Sequence, residues 1–199
     1  KKVNIFLWTV PLVNSIARSI YDVAFIWLIL DMTNSEKITG FVAMTTYFPA
    51  IIFGLFIGSI VDLFPKTKMI SFVTIMQGLV LLCIPLLFFY NIESVWLIML
   101  LAFFHNGFGL PLVPAFNAYL PTQIKKENLL KANSIVNISW QTAVLIGPII
   151  AAQLLTFYPV ENLFYFCVFF YFFAAALSTI APIDTVEKEE INAKKIIEK

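Results

Sequence analysis

The sequence predicts an all-α protein that crosses a membrane several times, and three observations indicate this fold class. Hydrophobic residues make up 60% of the 199 residues and charged residues only 13%, about half the charged fraction of a typical soluble domain. The mean hydropathy is +0.89. The few charges leave gaps as long as the roughly 20 residues that a helix needs to cross a bilayer. Since these gaps lack the in-and-out alternation of barrel strands, we expect helices.

Six such stretches predict six transmembrane helices, which we call spans 1 to 6. Span 1, residues 3–30, contains Arg18 and Asp22 and is too long for the apolar core of a cleaved signal peptide. Spans 2 to 6 contain no Lys, Arg, Asp or Glu and cover residues 38–61, 69–92, 94–124, 132–160 and 162–183. The two cysteines, Cys83 and Cys167, lie inside these apolar stretches, so we expect them to pack as small hydrophobic residues without a disulfide.

The lysines are distributed unevenly between the two sides of the predicted bundle. If alternate connections lie on opposite sides, one side holds only Lys37. The other side, which we call the lysine-rich end, holds Lys1, Lys2, Lys66, Lys68, Lys125, Lys126, Lys131, Lys188, Lys194, Lys195 and Lys199. Because positive side chains next to membrane helices are retained in the cytoplasm, we expect both ends of the chain to be cytoplasmic and the protein to lie in a bacterial inner membrane.

The composition changes after span 6. Residues 184–199 read DTVEKEEINAKKIIEK, a mixed-charge sequence without aromatic residues that is typical of a solvated segment. We therefore expect residues 1–183 to form an amino-terminal six-helix bundle and residues 184–199 to be a cytoplasmic linker to a carboxy-terminal bundle that this chain lacks. A complete six-span protein is the alternative.

Spans 2 and 5 end in similar segments. Span 2 ends with GLFIGSIVDLFP and span 5 with GPIIAAQLLTFYP, in which small residues precede an aromatic residue and a proline. The two spans point in opposite directions, as inverted three-helix units require. The pattern indicates a 3+3 inverted repeat, and a chance match of short segments is the alternative.

Several segments follow motifs of a known family. The connection after span 2 carries Gly58, Asp62 and Lys66 at the family spacing, with Leu63 and Pro65 at positions where the family has Arg and Gly. The other matches are WL at 27–28, PAFNAYLP at 114–121, ANS at 132–134 and GP at 147–148. On these residues the chain resembles the major facilitator superfamily, in particular its bacterial branch of macrolide-efflux-type and enterobactin-exporter-type proteins. The resemblance covers the whole chain and implies half of a twelve-helix carrier that works by alternating access.

Arg18 and Asp22 are the most informative candidates for a role in transport or proton coupling. Charges inside a membrane are costly and usually face a cavity or each other, and residues four apart share one helix face. A proton-coupled carrier needs a carboxylate whose charge can be switched by substrate or by access to water. A self-neutralising structural pair is the equal alternative.

Polar residues in spans 4 and 5 are further candidates for the transport path. His105, the only histidine, could relay protons, and an interior histidine bonded to a neighbouring helix is the alternative. Asn133, Asn137 and Gln141 recur every four residues and therefore form one stripe on span 5. This stripe predicts either lining of the path or hydrogen bonding between helices.

Two further groups are candidates through the family resemblance. Gly58, Asp62 and Lys66 correspond to a cytoplasmic gating loop, for which an ordinary solvated loop is the alternative. Gly147 and Pro148 match the core of a span 5 motif associated with antiporters. Proline removes one helix hydrogen bond and glycine allows close packing, whereas an ordinary proline kink is the alternative.

The residues and the resemblance together predict a secondary transporter that exports a small, partly hydrophobic solute or drug in exchange for protons. An importer of the same fold, a six-helix channel and an ABC permease subunit are the alternatives. We expect no enzyme activity, because the chain has one histidine and neither HExxH nor GxxxxGK. The expected partners are a small-molecule substrate, protons, the bilayer and the carboxy-terminal half. We expect no cofactor, metal ion or nucleic acid, and a monomer at full length.

Overall fold

The computed structural model describes the backbone of residues 2–179 and the side chains of residues 6–179. The predicted linker, 184–199, lies outside the described residues. Six helical segments are long and apolar enough to cross a membrane: Phe6–Thr33, Glu36–Leu63, Lys66–Phe89, Val95–Gln123, Lys126–Leu155 and Val160–Ser178. They confirm the predicted all-α fold with six spans.

The spans are built from the helices α1 (Lys2–Thr33), α2 (Glu36–Thr45), α3 (Phe48–Leu63), α4 (Lys66–Phe89), α5 (Val95–Gly109), α6 (Leu112–Gln123), α7 (Lys126–Leu155) and α8 (Leu163–Ser178), with a 3₁₀ turn at Val160–Asn162. Span 5 begins before the predicted residue 132, because α7 continues through Lys126 and Lys131. A lysine at the end of a membrane helix can place its charged group in water while its stem covers apolar surface. A prediction that ends each span at the first charged residue therefore makes the span too short.

Spans 2 and 4 are each broken into two helices, which the sequence analysis did not predict. Pro49 is the second residue of α3 and Pro111 directly precedes α6. A proline lacks the backbone N–H, and its ring clashes with the carbonyl four residues earlier. At the second break, the Leu110 N–H instead donates to the Gly107 carbonyl at 3.2 Å. The break in span 4 therefore places the carboxyl end of α5 within the span.

The helix contacts have the symmetry of an inverted repeat. Span 1 packs most extensively against spans 5 and 6, and span 4 packs against spans 2 and 3. Exchanging spans 1–3 with spans 4–6 converts the first set of contacts into the second, and the extensive contact between spans 3 and 6 is converted into itself. This pattern is that of the predicted 3+3 arrangement.

Two apolar clusters form the interior, one toward each end of the bundle. The cluster at the lysine-rich end includes Val10, Val73 and Phe116, and the cluster at the other end includes Leu28, Leu81 and Ile98. Along spans 1, 3, 4 and 6, polar side chains lie between the two clusters or, for Tyr21 and Tyr171, within the cluster that includes Leu28. We call these side chains the polar layer: Asn14, Arg18, Tyr21, Asp22, Thr74, Gln77, His105, Asn106 and Tyr171.

Candidate functional site

Arg18 and Asp22 form an ion pair near the middle of span 1. Arg18 Nε donates to the two carboxylate oxygens of Asp22 at 3.1 and 3.4 Å. The pair is only partly buried, since 40% of the Arg18 side-chain surface and 55% of the Asp22 side-chain surface are accessible. The bundle therefore leaves one side of the pair open. This geometry confirms that the two side chains share a helix face and pair directly.

Asn106 connects this pair to span 4. Arg18 Nη2 donates to Asn106 Oδ1 at 2.7 Å. Asn106 Nδ2 donates to the Ala102 carbonyl at 2.8 Å and to the Tyr21 hydroxyl at 3.3 Å. These two bonds fix the orientation of the amide so that its oxygen points to the guanidinium. Arg18 thus has one charged partner on its own helix and one neutral partner across the bundle.

His105 lies next to Asn106 and is fully buried between two tyrosines. Its ring centroid is 4.2 Å from that of Tyr21 and 5.4 Å from that of Tyr171. The Tyr171 hydroxyl and His105 Nε2 are 3.4 Å apart. His105 Nδ1 has no hydrogen-bond partner among the described residues. His105 is therefore an interior residue that lies within hydrogen-bonding distance of span 6 through Tyr171, and a role in relaying protons stays a prediction.

Span 3 contributes Gln77 and Thr74 to the polar layer. Gln77 is 2% exposed, and its Oε1 has no hydrogen-bond partner. A Cβ atom built on Gly109 would lie 2.8 Å from Gln77 Nε2 and 3.5 Å from Arg18 Nη1. The missing side chain at Gly109 therefore leaves room for both polar groups. Nearer the lysine-rich end, Asn14 Nδ2 donates to Thr74 Oγ1 at 3.3 Å.

The structure separates the span 5 stripe from the polar layer. Asn133, Asn137 and Gln141 are all exposed on α7, and none of them hydrogen-bonds another residue in the described part of the chain. Arg18, Asp22 and His105 are brought together, but by Tyr21 and Asn106 rather than by this stripe. The stripe is therefore an open polar surface in this bundle.

The connection after span 2 is held by Lys66. The Lys66 ammonium group donates to the backbone carbonyls of Val61, Asp62 and Phe64 at 2.8, 3.2 and 3.1 Å, and its side chain is only 6% exposed. It thus caps the carboxyl end of α3, where free carbonyls favour a cation. The Asp62 side chain is exposed. Gly58 also lies in the open, with no atom within 4 Å of a built Cβ.

Gly147 allows the closest contact between spans 1 and 5. A Cβ atom built on Gly147 would overlap the Ser19 side chain and lie 3.3 Å from the Ser19 Cα. Gly147 is buried, whereas Pro148 is exposed. Helix α7 continues through Pro148 without a break.

Sequence reasoning missed six members of the polar layer: Asn14, Tyr21, Thr74, Gln77, Asn106 and Tyr171. Asn106 carried a signal, since an amide inside an apolar span is itself unusual. Tyr171 lies in an aromatic segment, and nothing in that segment marks the tyrosine that faces His105. These residues come together only through the packing of spans 1, 3, 4 and 6.

Comparison with known proteins adds two findings. The family model described as Major Facilitator Superfamily matches residues 7–196. Two curated relatives are both named Macrolide efflux protein A and come from Streptococcus pyogenes and Streptococcus pyogenes serotype M6. Each is 23% identical over 148 residues, which cover 74% of this chain and 36% of the relative. The match therefore spans about a third of the length of these relatives.

Proposed function

The chain belongs to the major facilitator superfamily, and from this premise we propose that it exports a small, partly hydrophobic solute in exchange for protons by alternating access. The family is one of transporters, and the six apolar spans make the chain a membrane protein. The name of the two relatives supports efflux as the direction of transport. A macrolide is accordingly the first substrate to test.

The half-exposed Asp22 carboxylate is the observation that carries this proposal. It lies midway along an apolar span, with 55% of its surface accessible and Arg18 as its one ion-pair partner among the described residues. A charge inside a membrane is costly unless it faces a cavity or a partner, and such residues commonly belong to ion or substrate pathways. Asp22 has both a partner and an open side. A proton or a substrate can therefore reach the carboxylate and displace Arg18.

The proposed carrier needs a second six-helix bundle, for which spans 2 and 5 supply the surface. Span 2 is the least buried span, with Leu55 90% exposed and Ile51 73% exposed. Span 5 exposes the stripe of Asn133, Asn137 and Gln141. Polar side chains facing lipid are unfavourable, which supports a protein or a water-filled path beside this stripe. We place the carboxy-terminal half of the same protein there.

The proposed orientation puts the lysine-rich end in the cytoplasm. Lys68, Lys125, Lys126 and Lys131 are exposed at that end, whereas Lys37 is exposed at the other end. Asp62 then lies at the cytoplasmic surface, where it can contact the second bundle in one of the two states of the carrier. Gly147 and Pro148 supply close packing and one missing hydrogen bond in span 5. These groups form the proposed gating elements.

Transport in inverted membrane vesicles tests the proposal. Vesicles containing the protein are energised with a proton gradient, and uptake of a radiolabelled macrolide is measured with and without an uncoupler. We expect gradient-dependent uptake in the unmodified protein and none in Asp22→Asn. Asp31→Asn, an exposed aspartate at the other end of α1, is the matched control and should transport normally. Undiminished, gradient-dependent uptake by Asp22→Asn would remove this carboxylate from the mechanism.

A further inference from the structure

We propose that Asn106 and Gly109 form a second position for the Arg18 guanidinium, at the break in span 4, which allows Asp22 to release Arg18. Both residues then act as positioning residues, because Asn106 bonds Arg18 and Gly109 has no side chain beside it, and neither bonds the exposed carboxylate. This inference rests on the proposed function, in which a proton or substrate exchanges with Arg18 at Asp22. It assigns a role to the break in span 4 and to two residues outside the predicted site.

The first support is the geometry of the guanidinium. Arg18 Nε faces Asp22, and Nη2 donates to Asn106 at 2.7 Å, which is shorter than the distances of 3.1 and 3.4 Å from Nε to the Asp22 oxygens. The remaining nitrogen, Nη1, lies 3.5 Å from the position of a Cβ atom built on Gly109. Two of the three guanidinium nitrogens are therefore directed to span 4. If Arg18 lost its contact with Asp22, the contacts of its guanidinium with span 4 would be unchanged.

The second support is the preorganised Asn106 amide. Asn106 is 6% exposed, and its two bonds to Ala102 and Tyr21 leave the oxygen facing Arg18. An amide held in this way cannot rotate to present its NH₂ group to the cation. Tyr21 is itself held against the His105 ring, which packs on Tyr171. The buried aromatic group thus fixes the acceptor of Arg18.

The third support is that Asn106 and Gly109 lie on one face of α5. The two residues are three apart, which places them on the same side of this helix. Gly109 is the last residue of α5, and Pro111 cannot supply the backbone N–H that would continue its hydrogen bonding. An acceptor and a residue without a side chain therefore lie on the span 4 side of the guanidinium.

The contact of Arg18 with span 4 matters most when Asp22 loses its charge. A guanidinium in the middle of a membrane span is strongly unfavourable when it has no partner. With the span 4 position in place, Arg18 keeps a charge-assisted hydrogen bond, so neutral Asp22 is a stable state of the protein. The pair can then cycle between two states, one with Asp22 bound to Arg18 and one with Asp22 bound to its exchanging partner.

Non-additive effects on thermal stability test this inference without any transport measurement. The purified protein is compared as Asp22→Asn, Asn106→Leu and the double variant. We expect each single variant to lower the unfolding midpoint by a few degrees, and the double variant to lower it by clearly more than the sum, since only there does Arg18 lose both its charged partner and the Asn106 amide. Asp22→Asn with Asn137→Leu is the matched control, because Asn137 is exposed and makes no hydrogen bond within the described chain.

Relocation of the carboxylate supplies a second readout in case the Leu variants do not fold. Asp22→Asn with Asn106→Asp moves the negative charge to the other partner of Arg18, and we expect it to regain the stability that Asp22→Asn loses. Gly109→Ala should reduce that recovery, because its methyl group would displace the Gln77 amide, which lies beside Arg18. Strictly additive single effects, or no recovery on relocation, would overturn the inference. Either result would leave the vesicle test of transport standing.

Discussion

Replacing Gly147 with alanine tests the packing that holds span 5 against span 1. These two spans form the most extensive helix contact in the described bundle, and Gly147 meets Ser19 at this contact. The added methyl group would overlap the Ser19 Cβ. Because Cβ is bonded directly to the backbone, no change of the Ser19 rotamer removes the overlap. The two helices must separate, or one must rotate.

Two effects of opposite sign determine how much Gly147→Ala changes the free energy of unfolding. Alanine is favoured over glycine inside a helix by about 1 kcal/mol, whereas inserting a methyl group into a packed interior typically costs about 1–3 kcal/mol. Since the overlap here involves atoms fixed to both backbones, we expect the upper part of that range and a net loss of about 2 kcal/mol. Gly40→Ala is the matched control, because a Cβ atom on Gly40 has no atom within 4 Å. It should gain about 0.5–1 kcal/mol.

Thermal unfolding in detergent measures this difference. Cys167 is buried and Cys83 is exposed, so in a Cys83→Ser background the reaction of Cys167 with a fluorescent thiol reagent reports unfolding. The two alanine variants should differ in midpoint by roughly 6–12 °C for a chain of this size. Ser19→Gly should restore much of the loss in Gly147→Ala, because it removes the overlapping atoms. Equal midpoints for the two alanine variants would refute the packing argument.

Three further predictions concern the lysine-rich end and the topology. Lys66→Met should lower the free energy of unfolding by about 1.5–3 kcal/mol, because three carbonyls at the end of α3 lose a charged donor. Lys131→Met is the control and should change the free energy of unfolding little in the same assay. Asp62→Asn should shift the balance between inward-open and outward-open states, measured by cysteine accessibility from each side; an unchanged balance would make Asp62 a simple surface charge. A membrane-impermeant amine reagent applied to sealed cells should modify Lys37 and spare Lys126, and the reverse labelling would invert the proposed topology.

The six spans could be predicted from the sequence because lipid imposes one dominant constraint. Each crossing helix needs about 20 predominantly apolar residues, and that pattern is visible without any knowledge of packing. The sequence contains a signal for the breaks in spans 2 and 4, but the signal is ambiguous. Pro49 and Pro111 mark them, yet Pro11, Pro85 and Pro148 lie inside continuous helices. A proline therefore indicates a possible break, and the neighbouring helices decide whether the chain uses it.

The candidate site was predictable where its residues interact along one helix. Arg18 and Asp22 are four apart on α1, so helix geometry alone brings them together. Asn106 is 88 residues from Arg18 in sequence and lies on another span, and the pairing depends on how spans 1 and 4 pack. Lys66 illustrates the same limit, because its spacing from Asp62 indicated a charged loop, whereas its ammonium group binds backbone carbonyls.

In the proposed mechanism, Asp22 is the common binding group of the solute and the proton, and the charges of the polar layer then make the two ligands exclude each other. With Asp22 charged, Arg18 and Asp22 sum to zero charge, and His105 is buried without a carboxylate partner among the described residues. A proton on Asp22 would raise the net charge of the layer, and a second cation beside the neutral carboxyl would then be repelled. Two ligands that need the same carboxylate exclude each other, which is a negative coupling between their binding free energies. The span 4 position of Arg18 limits the cost of either occupied state, so both can be populated in turn. A carrier built in this way exchanges its two ligands because its charge balance admits one at a time.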